Sequence, residues 1–211
     1  MPTRMPTRRV LCRDALAWLP TQVGAHDAVV TSIPDMSEVR LEGDAYVAFL
    51  RAAGRACLSA TAADGYTVFL QTDRKHKGWL DKAYHLTDEA VRGGYRMMWH
   101  KIALRVAPGK TDLYRPTYSH MLCFSKTGAV GKPVPDVVER GTTTYANGFG
   151  IDAMRLVLEY CRANGVRAVA DPFVGSGTTL ATANALGMDA VGVDVDPAMC
   201  KRARALQLAS F

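Results

Sequence analysis

The feature that most constrains this chain is the run DPFVGSGTT over residues 171–179, set between a valine-rich stretch (166–171) and an alanine-rich one (178–186). The glycines fall where a strand must turn sharply into a helix. Gly175 and Gly177 permit backbone conformations closed to other residues and let a ligand approach the main chain closely. A helix opening here offers free N–H groups and the positive end of its dipole, which suits a carboxylate. Seventeen residues after Gly177, the apolar run 190–195 carries Gly192-Val193-Asp194, which places an acid where ribose hydroxyls of a bound nucleoside would sit. The candidate cofactor-binding residues are therefore Asp171, Phe173, Gly175, Ser176, Gly177, Thr178, Thr179 and Asp194. A plain glycine turn, with Asp194 and Asp196 acting as caps, is the bland alternative. A dinucleotide fingerprint would need glycine at Leu180, which disfavours a nicotinamide cofactor.

Further apolar runs at 10–12, 28–32 and 67–71 alternate with helical patterns at 39–59, 86–93, 151–164, 178–186 and 197–208. This alternation predicts a doubly wound, Rossmann-like α/β fold with a mostly parallel sheet. Residues 96–104 and 119–126 read as a hairpin adding an antiparallel edge. The charged stretch 73–81 and the Pro/Gly-bearing stretch 126–145 read as surface loops, and the repeated MPTR within residues 1–9 as a flexible terminus or a weak targeting signal.

With 211 residues, 48% of them hydrophobic, one compact domain spanning 1–211 is expected. A net charge of +6 suits a polyanionic partner. Five cysteines without a CxxC pair read as reduced core thiols of a cytoplasmic protein. No apolar run approaches the roughly 20 residues of a membrane span, and no cluster has metal-ligand spacing, so neither membrane nor metal is expected.

DPFVGSGTTL followed by GVDVDP resembles the cofactor motif of the amino-directed DNA methyltransferases of the N4-cytosine and N6-adenine type. Residues 10–16 (VLCRDAL) and 27–34 (DAVVTSIP) are similar to the strands carrying that family's catalytic motif, and 99–101 with 115–126 to its hairpin region. The order, catalytic strand first and cofactor loop last, is that of the family's permuted class. The resemblance implies S-adenosyl-L-methionine as cofactor and the amine of a nucleic-acid base as acceptor. It also implies a catalytic motif of Asp, Asn or Ser, then two prolines, then an aromatic residue that stacks on the flipped base.

The matching residues are Ser32-Ile33-Pro34-Asp35. Ser32 and Pro34 fit; Ile33 replaces a proline and Asp35 the aromatic. Ser32, Pro34 and Asp35 are the catalytic candidates. Asp35 is open to two readings, a hydrogen-bond or proton acceptor or the first residue of a capping box, Asp35-Met36-Ser37-Glu38. Trp79, Tyr118 and Phe149 are candidates for the missing ring. His76, Lys77, Trp79, Asp81 and Lys82 follow a strand whose carboxyl end faces the crevice, and His100 and His120 alternate on hairpin strands; a solvated loop and packed histidines are their alternatives.

Because sequence-specific DNA methyltransferases carry a recognition domain, for which this chain has only residues 126–145, small size favours RNA or single-stranded nucleic acid over duplex DNA. A homodimer or protein partner supplying recognition is the other route. The alternative function is a cofactor-binding scaffold or RNA-binding subunit that has lost catalysis at the altered motif.

Overall fold

The computed structural model describes residues 4–75, 78–146 and 148–209. In chain order its strands are β1 (Arg8–Cys12), β2 (His26–Thr31), β3 (Thr61–Gln71), β4 (Arg74–Lys75), β5 (Trp79–Leu80), β6 (Arg96–Leu104), β7 (Tyr118–Ser125), β8 (Val137–Glu139), β9 (Ala168–Asp171) and β10 (Asp189–Asp194). The helices are α1 (Ala15–Trp18), α2 (Met36–Val39), α3 (Gly43–Ala60), α4 (Lys82–Arg92), α5 (Ile151–Ala163), α6 (Thr178–Ala185) and α7 (Pro197–Ala205).

Eight strands form one sheet in the order β1-β10-β9-β2-β3-β7-β6-β8, parallel from β1 through β3. Alternate side chains leave opposite faces, so each strand feeds two cores. Val30, Val68 and Leu70 pack with α5, α6 and α7, whereas Val29 and Phe69 pack with α3 and α4. This is the doubly wound architecture expected. From β9 the chain runs outward to β10, and from β2 it runs the other way to β3. The order reverses between β2 and β9, where crevices open at the carboxyl ends of strands.

Several details differ from the expectation. The hairpin of β6 and β7 is antiparallel, and β7 joins it to β3, but the edge is β8, from within the expected loop 126–145. The outer N–H groups of β6 find partners there: Ile102 donates to the Asp136 carbonyl (2.8 Å), which covers an otherwise open edge. The helix expected over 39–59 is broken at Arg40, a non-glycine residue at φ 55°. The capping box starts it early at Asp35, and α3 restarts at Gly43, also at positive φ. α4 begins at Lys82, because the Asp81 carboxylate accepts from Tyr84 N (2.7 Å) and caps it. β1 starts at Arg8, and Thr7 is held by Asp189 through its N–H (2.7 Å) and hydroxyl (2.9 Å). Cys12 is exposed while the other four thiols are buried. Among the described residues, no helix is long and apolar enough to cross a membrane.

Candidate functional site

Two cavities meet at the carboxyl ends of β2, β3, β9 and β10. The larger, about 590 Å³, is lined by Asp171, Phe173, Gly175, Ser176, Thr178, Thr179 and Asp194 together with Ser32 and Pro34. All the candidate cofactor residues except Gly177 thus border one cleft. Gly177, at φ 91°, packs closely on α7: a Cβ there would meet Ala203 Cα at 2.6 Å. Gly175, at φ 48°, has open space where a Cβ would stand, so its demand is one of backbone conformation alone. Asp194 shapes the loop, accepting from Gly175 N (2.9 Å) and Asp196 N (2.8 Å) through different oxygens. Asp14, Phe49, Tyr145, Phe149 and Met199 also line the cleft. Asp14, which caps α1 through Ala17 N (3.0 Å), is an acid at a strand end that sequence reasoning passed over.

Beyond the pairing of β2 with β9, a side-chain hydrogen bond links the two halves of the site: Thr31 Oγ1 donates to Asp171 Oδ1 at 2.6 Å. Asp171 also accepts from Phe173 N (3.2 Å) and from the Thr179 hydroxyl. Burial outweighs these bonds and pushes its carboxyl up to about 6. Ser32, the next residue after β2, is exposed and lies on the wall shared by both cavities. Ile33 is 2% exposed and its side chain sits in the apolar layer with Phe69, so its departure from proline is absorbed by the core. The main-chain carbonyls nearby are engaged, Ile33 O by Gln71 Nε2 (3.2 Å) and Pro34 O by the Tyr46 hydroxyl (3.0 Å).

The smaller cavity, about 110 Å³, is bordered by Asp35, Lys82, Arg105, Arg115 and Arg140. Both sequence readings of Asp35 meet here. It caps α2, accepting from Met36 N (2.8 Å) while Glu38 accepts from its own N–H (2.7 Å). Its carboxylate also faces Arg115 (2.8 Å), Lys82 (3.1 Å) and Arg74 (3.5 Å). Burial alone would raise the Asp35 carboxyl, but Lys82, Arg74 and the Met36 N–H outweigh it and hold it below the usual range. Lys82, nearly fully buried, is lowered by burial and by the neighbouring arginines, against the pull of Asp35. A carboxylate so paired is a poor proton acceptor.

Of the three aromatic candidates, Phe149 borders both cavities. Trp79 is half exposed and donates to Asp73 (3.2 Å), and Tyr118 stands edge-on to His120; neither borders a cavity. The stretch 73–81 is not a plain surface loop, because Asp73 is buried. It accepts from Lys82 N (2.9 Å) and His120 Nε2 (3.1 Å), and His120 Nδ1 meets His100 Nε2 at 2.8 Å. Burial would raise Asp73, yet the His120 contact and the N–H groups of Lys82 and Ala83 hold it low. His120 is therefore packed against Asp73, whereas His100 stands exposed beside it, its pKa lowered by desolvation and by His120. His76 and Lys77 lie outside the described residues.

Residues 152–205 match the family model described as DNA methylase. No curated protein matches the chain. Among solved structures, a candidate DNA modification methylase of Thermus thermophilus superposes with a TM-score of 0.72 at 19% identity, over 94% of this chain and 92% of its own; it has also been solved with S-adenosyl-L-methionine. The cytosine-N4-specific PvuII DNA methyltransferase gives a TM-score of 0.76 at 14% identity, over 95% and 86%. M1.HpyAVI in complex with SAM gives 0.67 at 14%, over 94% and 98%. The chain has the fold of the DNA methylases. The likeness is one of sequence over residues 152–205 and of fold over nearly the whole chain, and it bears out the resemblance carried by DPFVGSGTTL and GVDVDP.

Proposed function

We propose that the protein is an S-adenosyl-L-methionine-dependent methyltransferase acting on the amine of a DNA base. The observation that carries this reading is the position of Ser32, on the wall shared by a cleft built like a cofactor site and a second, polar cavity. The larger cleft fits the cofactor. Its volume lies within the range of small-molecule sites, Asp194 stands at its rim for the ribose hydroxyls, and Gly175 leaves open space above the main chain. S-adenosyl-L-methionine bound there supplies a methyl group activated by a sulfonium.

The chain's own residues then orient the acceptor. An exocyclic amine is a weak nucleophile because its lone pair is delocalised into the ring. The Ser32 hydroxyl accepts one of its hydrogens and turns the lone pair toward the cleft, an orientation effect more than a charge effect. Pro34 walls the larger cleft, and Phe149 supplies the ring that the motif lacks at Asp35. Asp35 holds Lys82 and Arg115 in place and is not the base.

DNA is the acceptor favoured here. The Thermus thermophilus and M1.HpyAVI chains are covered to 92% and 98%, so small size gives RNA no preference, and nothing in the comparisons favours a scaffold. The test is incubation with radiolabelled cofactor and separate DNA, tRNA, rRNA and protein pools, followed by nucleoside analysis. Label in a methylated DNA nucleoside, falling about tenfold or more in Ser32→Ala with cofactor affinity unchanged, is the expected result. Label confined to protein or RNA overturns the reading.

A further inference from the structure

The smaller cavity holds more positive charge than its own carboxylates balance. Lys82, Arg105, Arg115 and Arg140 line it against Asp35 and Glu38, and behind the lining Arg74 pairs with Asp35 and Asp112 with Arg105. Asp35 is shared among three cations and Glu38 is turned back onto the Asp35 N–H. Arg105 has Asp112 as its one carboxylate, at 3.6 Å, and donates to the neutral Pro116 carbonyl (2.9 Å), and its pKa is lowered by burial and by the adjacent Arg115 and Arg140 charges, with Asp112 opposing. Among the described residues the Arg140 side chain has no ion-pair or hydrogen-bond partner, although its backbone is fixed. Its N–H donates to Leu104 O (3.0 Å) and its carbonyl accepts from Asp152 N (3.1 Å) and Ala153 N (3.3 Å). Guanidinium groups do not shed their protons to relieve such crowding. A part-buried concavity with unmatched guanidinium groups is relieved by an anion, and the planar fork of arginine matches a phosphate in geometry as well as charge.

We propose that Arg105, Arg115 and Arg140 form a seat for a phosphodiester of the acceptor strand, next to the nucleotide whose base reaches Ser32. This rests on the methyltransferase reading and adds the handle by which the strand is held. The two hydroxyls on the cavity's far side, Thr72 and Ser119, are paired with each other at 2.6 Å and both border it, giving the seat neutral donors as well. Arg115 plays two parts, one nitrogen on Asp35 and the rest of its fork open to the ligand. The seat also explains why the catalytic motif can end in Asp35: that carboxylate orders arginines for a phosphate, while Phe149 takes the stacking role.

The test compares wild type with Arg140→Gln and Arg105→Gln, each first checked for an unchanged thermal transition. Affinity for a short, random-sequence single-stranded deoxyoligonucleotide is measured by fluorescence anisotropy across a salt series, and cofactor affinity by calorimetry. Each substitution is expected to weaken oligonucleotide binding about tenfold and to reduce the salt slope by about one, with cofactor affinity unchanged. Arg140→Lys should recover part of the loss. Unchanged affinity and slope in both variants, in a wild type that still methylates DNA, overturns the seat and leaves the function standing. A wild type that binds neither cofactor nor DNA overturns the function instead. A nucleoside monophosphate that binds wild type as tightly as the oligonucleotide, with the same loss in Arg140→Gln, makes a free nucleotide the ligand and overturns the strand.

Discussion

The two cavities are built in opposite ways. The larger draws most of its polar wall from residues 171–179 and Asp194, a loop and the strand that follows it. The smaller gathers Asp35, Lys82, Arg105, Arg115 and Arg140 from four separate stretches of chain. A wall made by one loop keeps its geometry through local hydrogen bonds, such as Gly175 N to Asp194. A wall made from distant segments needs charge to hold it, and Asp35 is the pin. The contrast teaches that one region fails by losing a ligand contact while the other fails by losing structure.

The largest effect is expected from Asp35→Asn. It strips Lys82 and two arginines of their common partner, and removing one member of a buried pair costs about 3–5 kcal/mol. Chemical denaturation measures it, and the double substitution Asp35→Asn with Lys82→Met should recover much of the loss. If Asp35→Asn proves harmless, the pin is not what holds the acceptor side together.

Asp171 lies at the seam between the two regions and gives a pH-dependent effect. Its folded carboxyl keeps its proton up to about 6, whereas the unfolded one releases it near 3.8. The folded state binds more protons in that window, so stability falls as pH rises through it, by about 3 kcal/mol. Asp171→Asn lacks this loss. Its stability relative to wild type is therefore expected to improve by about that amount between about pH 4 and pH 7, read from thermal or denaturant curves at each pH. A difference that stays constant with pH would remove Asp171 from the account.

The smallest effect on the fold, and the sharpest on function, is expected from Asp194→Ala. Loss of hydrogen bonds to a charged acceptor should weaken S-adenosyl-L-methionine binding about 10- to 100-fold in calorimetry, with oligonucleotide affinity unchanged. Equal losses of both ligands would show that the two cavities are not built independently.

The same contrast explains what could be read from the sequence. Glycines at fixed offsets and a carboxylate at the end of the next strand are local signals, so the loop from Asp171 to Thr179 and its partner Asp194 were legible as one unit. The parallel strands were legible because short valine-bearing apolar runs alternate with helical stretches. Spacing does not reveal that Gly177 also packs against Ala203. Arg105, Arg115 and Arg140 were invisible, since a lone arginine in a loop carries no mark of the pocket it borders. β8 escaped because three residues amid prolines and glycines show no period, and only the open edge of β6 gives them a place. Asp35 was legible as a cap through its spacing to Glu38, and its three cations lie 39 to 80 positions away along the chain.

Like residues 32–38, the stretch from Arg140 to Gly150 touches both cavities. Between Arg140 and Gly150, Arg140 faces the smaller one, Phe149 borders both, and the Thr144 hydroxyl meets Thr178 at 2.6 Å and Ser176 at 3.4 Å on the glycine loop. Hydrogen-bonded to the glycine loop through Thr144 and bordering the acceptor cavity through Arg140 and Phe149, this stretch is a route by which a ligand in one cavity bears on the wall of the other. Whatever factor the cofactor contributes to strand affinity, the strand must return to cofactor affinity in full.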